Sequence, residues 1–488
     1  MIISEKKQIK MLSNAEMELI HLGACRLLSR VGVKVTHEVI AEKLISQGAL
    51  RKGERITIPA NMVENALAKT AKTIQFDAPD PAYSFTLNAV ENRVKFGPGG
   101  QALYIVHPAA GGWGRRPAGT DDLKQILVLC NRLKNVDFIT RPVECDVPED
   151  RMDLEKARIF RQCCSKPMNL ANLIKVEHLD RVLEMIGDPA HVSFIISLIS
   201  SPLVLDSAAG DKFIALVEKN LPVSISCCPQ GGSTAPFSEV GELLQLHAEL
   251  LFGFVLGNVI RPGARLLYRG IPVTSNLYTD GSPRWCQPES IRRVALAAQL
   301  CRFYNLPCCG TAGVSDEAEP SAQGISEKVL SWVYEMAAGA QYINSALGML
   351  EQVLSVSYQQ YVIDDILLGI VKEKFGENGS LKTSQLALSA ATAALSRFGV
   401  AVDEKVEAEL TARIRHIENA MEPYNEEYIG EQLNLIEKAV NKTSSTVFMK
   451  TARKGLREGY LYRGDRIDAP LDLSDATGRL ESILGQVN

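Results

Sequence analysis

The chain has 488 residues, 46% of them hydrophobic and 23% charged, and its 53 basic and 57 acidic side chains leave a formal net charge of -4. So even a balance argues against a nucleic-acid enzyme, and the length is enough for one large barrel with additions or for several smaller domains. The opening MIISEKKQIK lacks the basic, apolar and small-residue order of an export signal, and the most apolar run, 246–260, is broken by His247, Glu249 and Asn258; neither secretion nor membrane spanning is expected, and a cytoplasmic location is.

Residues 14–48 read as two helices, with Asn14 and Thr36 as caps, and a third helix follows at 61–71. From residue 93 onward, short β-branched runs ending in Gly, Pro, Asn or Ser alternate with longer helical patterns, which predicts parallel strands joined by crossover helices. The strands are expected at 94–104, 136–140, 167–173, 193–200, 222–228, 264–271, 307–313 and 341–347. Helices are expected at 120–133, 150–164, 177–186, 208–219, 238–259, 288–304, 326–338 and 353–374. Eight such units predict an α/β fold, a (β/α)8 TIM barrel, over a doubly wound sheet, which would open with GlyXaaGlyXaaXaaGly after its first strand. The expected organisation is a helical leader over 1–88, the barrel over 89–375 and a helical C-terminal region over 376–488 that serves as a packing cap or an oligomer contact. That region includes a basic stretch at 451–463, and a homo-oligomer is expected.

Six of the eleven cysteines sit in the adjacent pairs Cys163-Cys164, Cys227-Cys228 and Cys308-Cys309, an awkward arrangement for disulfides, so reduced thiols are expected. Neighbours on a strand point to opposite faces and cannot share one ion without a bend. The seven histidines occur singly, with no His–His pair at i, i+4, so no metal site is expected. Trp332, inside an outer helix, is assigned to the core.

Polar residues at strand C-termini point into a barrel's mouth, and Glu144, Asn172, Gln230, Arg269 and Asp316 fall there. Gly97, Gly99 and Gly100, from the run Gly97-Pro98-Gly99-Gly100, lack the Lys-Ser or Lys-Thr tail of a phosphate loop. Their missing side chains suit either close approach of a substrate or cofactor ring or purely structural packing.

The segments HLGACRLLSRVGVKVTHEVI, ERITIPANMVENAL, FGPGGQALYIVHPAAGGWGRRPAGTDDL, KPMNLAN, PQGGSTAP, NLPCCGTAGVSDEAEPSAQ and ALGMLEQVLSVSYQQYVIDD, spread over about the first 375 residues, resemble the trimethylamine methyltransferase superfamily. The resemblance is closest to its members that lack pyrrolysine: ordinary residues fill Thr311 to Asp316, the segment after the seventh strand where pyrrolysine stands in trimethylamine demethylases. What the resemblance implies is demethylation of a quaternary amine such as glycine betaine, proline betaine, carnitine or γ-butyrobetaine. The methyl group would pass to Co(I) of a corrinoid carried by a separate partner protein, with no cofactor or metal held here. Gln352 stands in LEQVL, which is similar to LEHVL of glycine betaine demethylases, so an amide replaces a histidine there.

A quaternary ammonium leaves as a neutral tertiary amine, so no acid is needed, but the site must strip water from the cation and aim one methyl group. Such a cation is met by aromatic faces and by a few oxygens. Tyr104, Tyr268, Tyr358 and Tyr361 are the expected aromatic partners, Asn172, Gln230 and Gln352 the polar ones, and Glu144 and Asp316 the catalytic carboxylates. Arg269 is expected to clamp a substrate carboxylate through both oxygens or to form a structural ion pair. The rivals are a barrel lyase or isomerase, for which Lys95 is the one strand lysine available, and a non-catalytic quaternary-amine binding protein.

Overall fold

In the computed structural model, which describes residues 3, 7–144, 146–377, 381–442, 447–450, 452 and 460–485, eight short parallel strands succeed one another in sequence order. They are β1 (Lys95–Phe96), β2 (Ile139–Thr140), β3 (Met168–Asn169), β4 (Val192–Ser197), β5 (Val223–Cys227), β6 (Leu266–Gly270), β7 (Cys309–Thr311) and β8 (Tyr342–Asn344). Strands β2 to β6 form one parallel ladder, and β7, β8 and β1 form another. The two ladders meet at seams. One is a single bridge between Tyr268 and Cys308; at the other, Asp137 N donates to Phe96 O at 2.7 Å and Ala102 bridges Val143.

The crossovers are α1 (Thr120–Arg132), α2 (Glu149–Cys163), α3 (Leu179–Ile186), α4 (Ser207–Glu218), α5 (Glu239–Ile260), α6 (Pro288–Phe303), α7 (Ala322–Ala338) and α8 (Tyr358–Gly376). The alternation of eight strands and eight helices is that of a (β/α)8 fold. One expected strand is different. The run 94–104 is not continuous: β1 ends at Phe96, the Gly-Pro-Gly-Gly stretch forms a loop, and Tyr104 opens a separate hairpin, Tyr104–Ala109 against Gly112–Pro117. A small antiparallel pair, Met349–Leu350 with Ser355–Val356, likewise delays α8 to Tyr358.

The N-terminal region holds sheets as well as helices. Helix Asn14–Arg30 is capped by Ser13 and not by Asn14: Glu16 N donates to Ser13 Oγ at 3.2 Å, and Ser13 N donates back to the Glu16 carboxylate at 2.7 Å. His37, not Thr36, caps helix Glu38–Ser46. The hairpin Thr73–Phe76 with Phe85–Asn88 closes the N-terminal end of the barrel: Phe76 stacks on Tyr342 at 5.2 Å, which stacks on Phe138 at 3.6 Å. Helix α5 is apolar and long enough to cross a membrane by composition, but it is almost wholly buried, packed between β5 and β6 on one side and helices Asn14–Arg30 and Ala60–Lys69 on the other.

Four helices of the C-terminal region dock on the outer ring: Thr383–Arg397 on α7, Glu404–Glu418 on α6, Glu426–Val440 on α5 and Ser474–Leu484 on α8. Arg292 of α6 ties this arrangement together. Its Nε meets Glu239 of α5 at 2.7 Å, and its Nη1 donates to the carbonyl of Ile417 at 3.1 Å. A buried guanidinium needs such partners, since leaving it unpaired would cost several kcal/mol, roughly 3–5. Of the basic stretch 451–463, residues 451 and 453–459 lie outside the described residues. The ten cysteines among the described residues are free thiols.

Candidate active site

Side chains alternate across a strand, so every second residue of a barrel strand faces the interior. In β6, Leu267 and Arg269 take the inward parity and Leu266, Tyr268 and Gly270 the outward one. Leu267 joins the cluster of Phe76, Phe138 and Tyr342 at the barrel floor, whereas Tyr268 meets His247 of α5 through its hydroxyl at 3.2 Å. The same parity, continued past the strand ends, brings Thr140, Ala171, Ile195, Ser197, Ser226, Cys228, Arg269, Ile271 and Asn344 around one cavity of about 210 Å3 at the C-terminal mouth. Gly100, Gln101, Asn172, Trp285, Ser345 and Val353 complete its lining from the loops. That volume suits a small molecule, since drug-sized ligands occupy about 300–1,000 Å3.

Arg269 is the only charged side chain lining the cavity among the described residues. It is nearly buried, its Nη1 donates to Ser226 Oγ at 2.6 Å from the register partner on β5, and its Nε is buried without a hydrogen-bond partner. The ion pair entertained for it is not present within 4.0 Å among the described residues. Asn172 lines the wall beside it, its carbonyl taking a hydrogen bond at 3.0 Å from Lys156, whose ammonium burial has pushed down to about 8.

Trp285 supplies the one aromatic ring in the lining among the described residues, with its indole Nε1 buried and unpartnered. It sits in a bend between the short strand Pro283–Arg284 and α6, and sequence periodicity carries no signal for such a position. Asp316 holds it there: Asp316 Oδ1 accepts from Trp285 N at 3.0 Å, while Asp316 N donates to Glu327 of α7 at 3.1 Å. Burial pushes the Asp316 carboxyl above its ordinary value, and burial together with the nearby Asp316 pushes Glu327 up to about 7. Asp316 thus braces the wall and does not line the cavity.

Glu144 is also one step removed. It pairs with Arg141 at 2.9 Å, and Arg141 in turn binds Gln101, which lines the cavity. Gln230 braces a neighbouring loop, its Nε2 donating to Gly281 O at 2.8 Å. Gln352 lies in the segment Glu351, Gln352, Val353, whose φ values of 50, 56 and 73° are all left-handed. For a β-branched valine this is strained by about 1–3 kcal/mol. Backbone bonds from Glu351 N to Glu317 O at 2.8 Å and from Gln352 N to Ser315 O at 3.1 Å hold the segment, and they deliver Val353, not Gln352, to the cavity.

The four tyrosines expected at the mouth are elsewhere. Tyr104, on the hairpin, has its ring face covered by the Arg115 guanidinium at 4.3 Å. Tyr268 faces outward by parity. Tyr358 donates to Asp122 of α1 at 2.8 Å, and Tyr361 is fully buried against Gly348. Of the glycines, Gly97 packs on Phe138 and Gly99 on Asn344; Gly100, at φ 117°, lies against Met349 and alone of the three reaches the cavity. Their close approach is to the protein's own side chains. No lysine or histidine lines the cavity among the described residues, and Lys95 is paired with Asp137 at 2.8 Å at the opposite end of the barrel. Trp332 is buried in the core, as expected.

The sequence profile of the trimethylamine methyltransferase (MTTB) family matches residues 1–398. Similar proteins include the glycine betaine methyltransferase of Desulfitobacterium hafniense (strain Y51), 23% identical over 375 residues that cover 74% of this chain and 76% of that one. The trimethylamine methyltransferase MttB of Methanosarcina thermophila is 24% identical over 380 residues, covering 75% of this chain and 78% of that one. The proline betaine:corrinoid methyltransferase of Eubacterium limosum is 24% identical over 396 residues, covering 75% and 77%. A profile match over more than half of its length means that the chain belongs to the trimethylamine methyltransferase (MTTB) family.

Proposed function

We propose that this protein transfers an N-methyl group from a small betaine, a quaternary amine that bears a carboxylate, to the Co(I) centre of a partner corrinoid protein. The observation that carries this reading is the lone guanidinium of Arg269 in a small cavity otherwise lined by neutral groups. A net positive cavity repels a bare cation such as choline, but it compensates the carboxylate of a zwitterion that must leave water. The names of two relatives, which act on glycine betaine and proline betaine, agree with that chemistry.

In this reading Arg269 holds the carboxylate through its free Nε edge, and the Trp285 ring meets the trimethylammonium end. Asn172, Asn344 and Ser345 fix the orientation, with Ile195, Ile271 and Val353 excluding water. Asp316, Glu144, Gln230 and Gln352 position the walls. The corrinoid is a reactant brought by the partner, and it supplies the nucleophile that takes the methyl group. No proton need be delivered, because the amine departs neutral. Incubation of the protein with a reduced corrinoid protein and a panel of glycine betaine, proline betaine, carnitine, γ-butyrobetaine, choline and trimethylamine tests this. Turnover confined to carboxylate-bearing quaternary amines is the expected result, and turnover with choline or trimethylamine alone would overturn it.

A further inference from the structure

On the side of the barrel, far along the chain from the mouth, three metal-ligating side chains converge. His21 and Cys25 stand one turn apart on helix Asn14–Arg30, and Glu64 reaches them from helix Ala60–Lys69; their donor atoms lie within 4.8 Å of one another. We propose that His21, Cys25 and Glu64 bind a single divalent transition-metal ion, zinc being the best match. The site is independent of the cavity and of the reading given for it.

Two contacts fall on the same nitrogen. His21 Nε2 is 2.8 Å from Glu64 Oε1 and 3.6 Å from Cys25 Sγ. A ring nitrogen carries either a proton or a lone pair, so it serves one of these neighbours in a well-formed hydrogen bond and not both. A cation between the three satisfies all of them. The spacing also fits: with Zn–S near 2.3 Å and Zn–N near 2.0–2.1 Å, a tetrahedral ion sets its S and N ligands about 3.6 Å apart. The matching N to O separation is about 3.4 Å, so Glu64 would open by roughly 0.6 Å from its present place. Its side chain is 60% exposed and free to do so, whereas His21 is 12% exposed.

The inner side of the site is closed. The Tyr304 ring lies 5.4 Å from His21, and Tyr304 in turn bonds His247 Nε2 at 2.9 Å. The exposed side of Glu64 leaves a fourth position to water. Three protein ligands from two helices would pin Asn14–Arg30 to Ala60–Lys69 above α5, a structural role.

Cobalt(II) added to the full-length, chelator-stripped protein under reducing conditions is the probe. One equivalent should bind with a thiolate-to-cobalt charge-transfer band and tetrahedral visible bands, and zinc should displace it. Cys25→Ser should abolish the charge-transfer band, and Glu64→Gln, at an exposed position that folding tolerates, should weaken cobalt binding by about tenfold or more. Absence of the band in the unmodified protein, or a band and affinity unchanged in Glu64→Gln, overturns the proposal. So does a band that persists in Cys25→Ser, since another of the thiols would then hold the ion.

Discussion

Arg269 and Ser226 occupy opposite places in the register of two neighbouring barrel strands, and Arg269 Nη1 donates to Ser226 Oγ at 2.6 Å. That bond turns the guanidinium along the cavity wall and leaves Nε buried without a partner. Replacement with lysine keeps the charge but loses the planar fork. Arg269→Lys is therefore expected to raise the half-saturating betaine concentration by roughly ten- to a hundredfold. Choline should remain unreactive with both proteins, since lysine keeps the positive charge that repels it, which initial-rate kinetics on both compounds would check.

Trp285 offers the one aromatic face in the lining. A cation over an aromatic ring gains about 0.5–2 kcal/mol, so Trp285→Ala should weaken betaine binding by roughly two- to thirtyfold, and Trp285→Phe by less. Calorimetric binding of a non-reactive carboxylate, which lacks the ammonium, should be the same in both variants. If that ligand is lost as well, the tryptophan is shaping the pocket and not meeting the cation.

On the proposed reading Asp316 acts through Trp285, from whose backbone N–H it accepts a hydrogen bond at 3.0 Å. Asp316→Ala should raise KM by roughly fivefold, the value of about 1 kcal/mol for one lost hydrogen bond, with little change in kcat. Asp316→Asn keeps the accepting oxygen and should restore KM. An equal loss of kcat in both variants would mean that the carboxylate charge itself takes part.

Glu335 of α7 is buried with both carboxylate oxygens unpartnered, and burial pushes its carboxyl from 4.5 up to about 8. The folded state thus holds its proton more tightly than the unfolded chain does. Between about pH 4.5 and 8 the unfolded state gains ionisation that the folded state lacks, so stability falls as pH rises through this window and levels off above it. The total is on the order of a few kcal/mol. In denaturant melts across that range Glu335→Gln should flatten the slope; an unchanged slope would assign the pH dependence to another group.

The order and spacing of the barrel units were legible because a continuous apolar run between breakers leaves a strand little choice. The first strand misled for the same reason. Val94 to Tyr104 reads as one strand, but the Gly-Pro-Gly-Gly interruption ends the barrel strand at Phe96 and a hairpin starts at Tyr104. Arg269 was legible from its place at a strand end. Period-two alternation then rules out its neighbour Tyr268, since adjacent residues cannot both face the lumen. Tyr358 and Tyr361 were drawn toward the site by sequence proximity to the eighth strand, yet the small pair at 349–356 carries the chain past the mouth before α8 begins. Trp285 left no trace in periodicity, because a loop residue is brought to a cavity by contacts such as the Asp316 bond and not by a repeat. The trio of His21, Cys25 and Glu64 leaves no paired-histidine signature, because its i, i+4 pair is mixed and its third member comes from another helix.

The central claim is that one methyl group moves from a betaine to cobalt with no proton donor required. A single turnover with betaine carrying carbon-13 in its N-methyl groups, reduced corrinoid protein and this enzyme in equal amounts, followed by NMR, measures it directly. The account predicts methyl-cobalt and the singly demethylated tertiary amine in equal amounts, at a rate independent of pH across the neutral range. Free methanol or formaldehyde in place of methyl-cobalt, or labelled methyl-cobalt from trimethylamine but from no betaine, would contradict it.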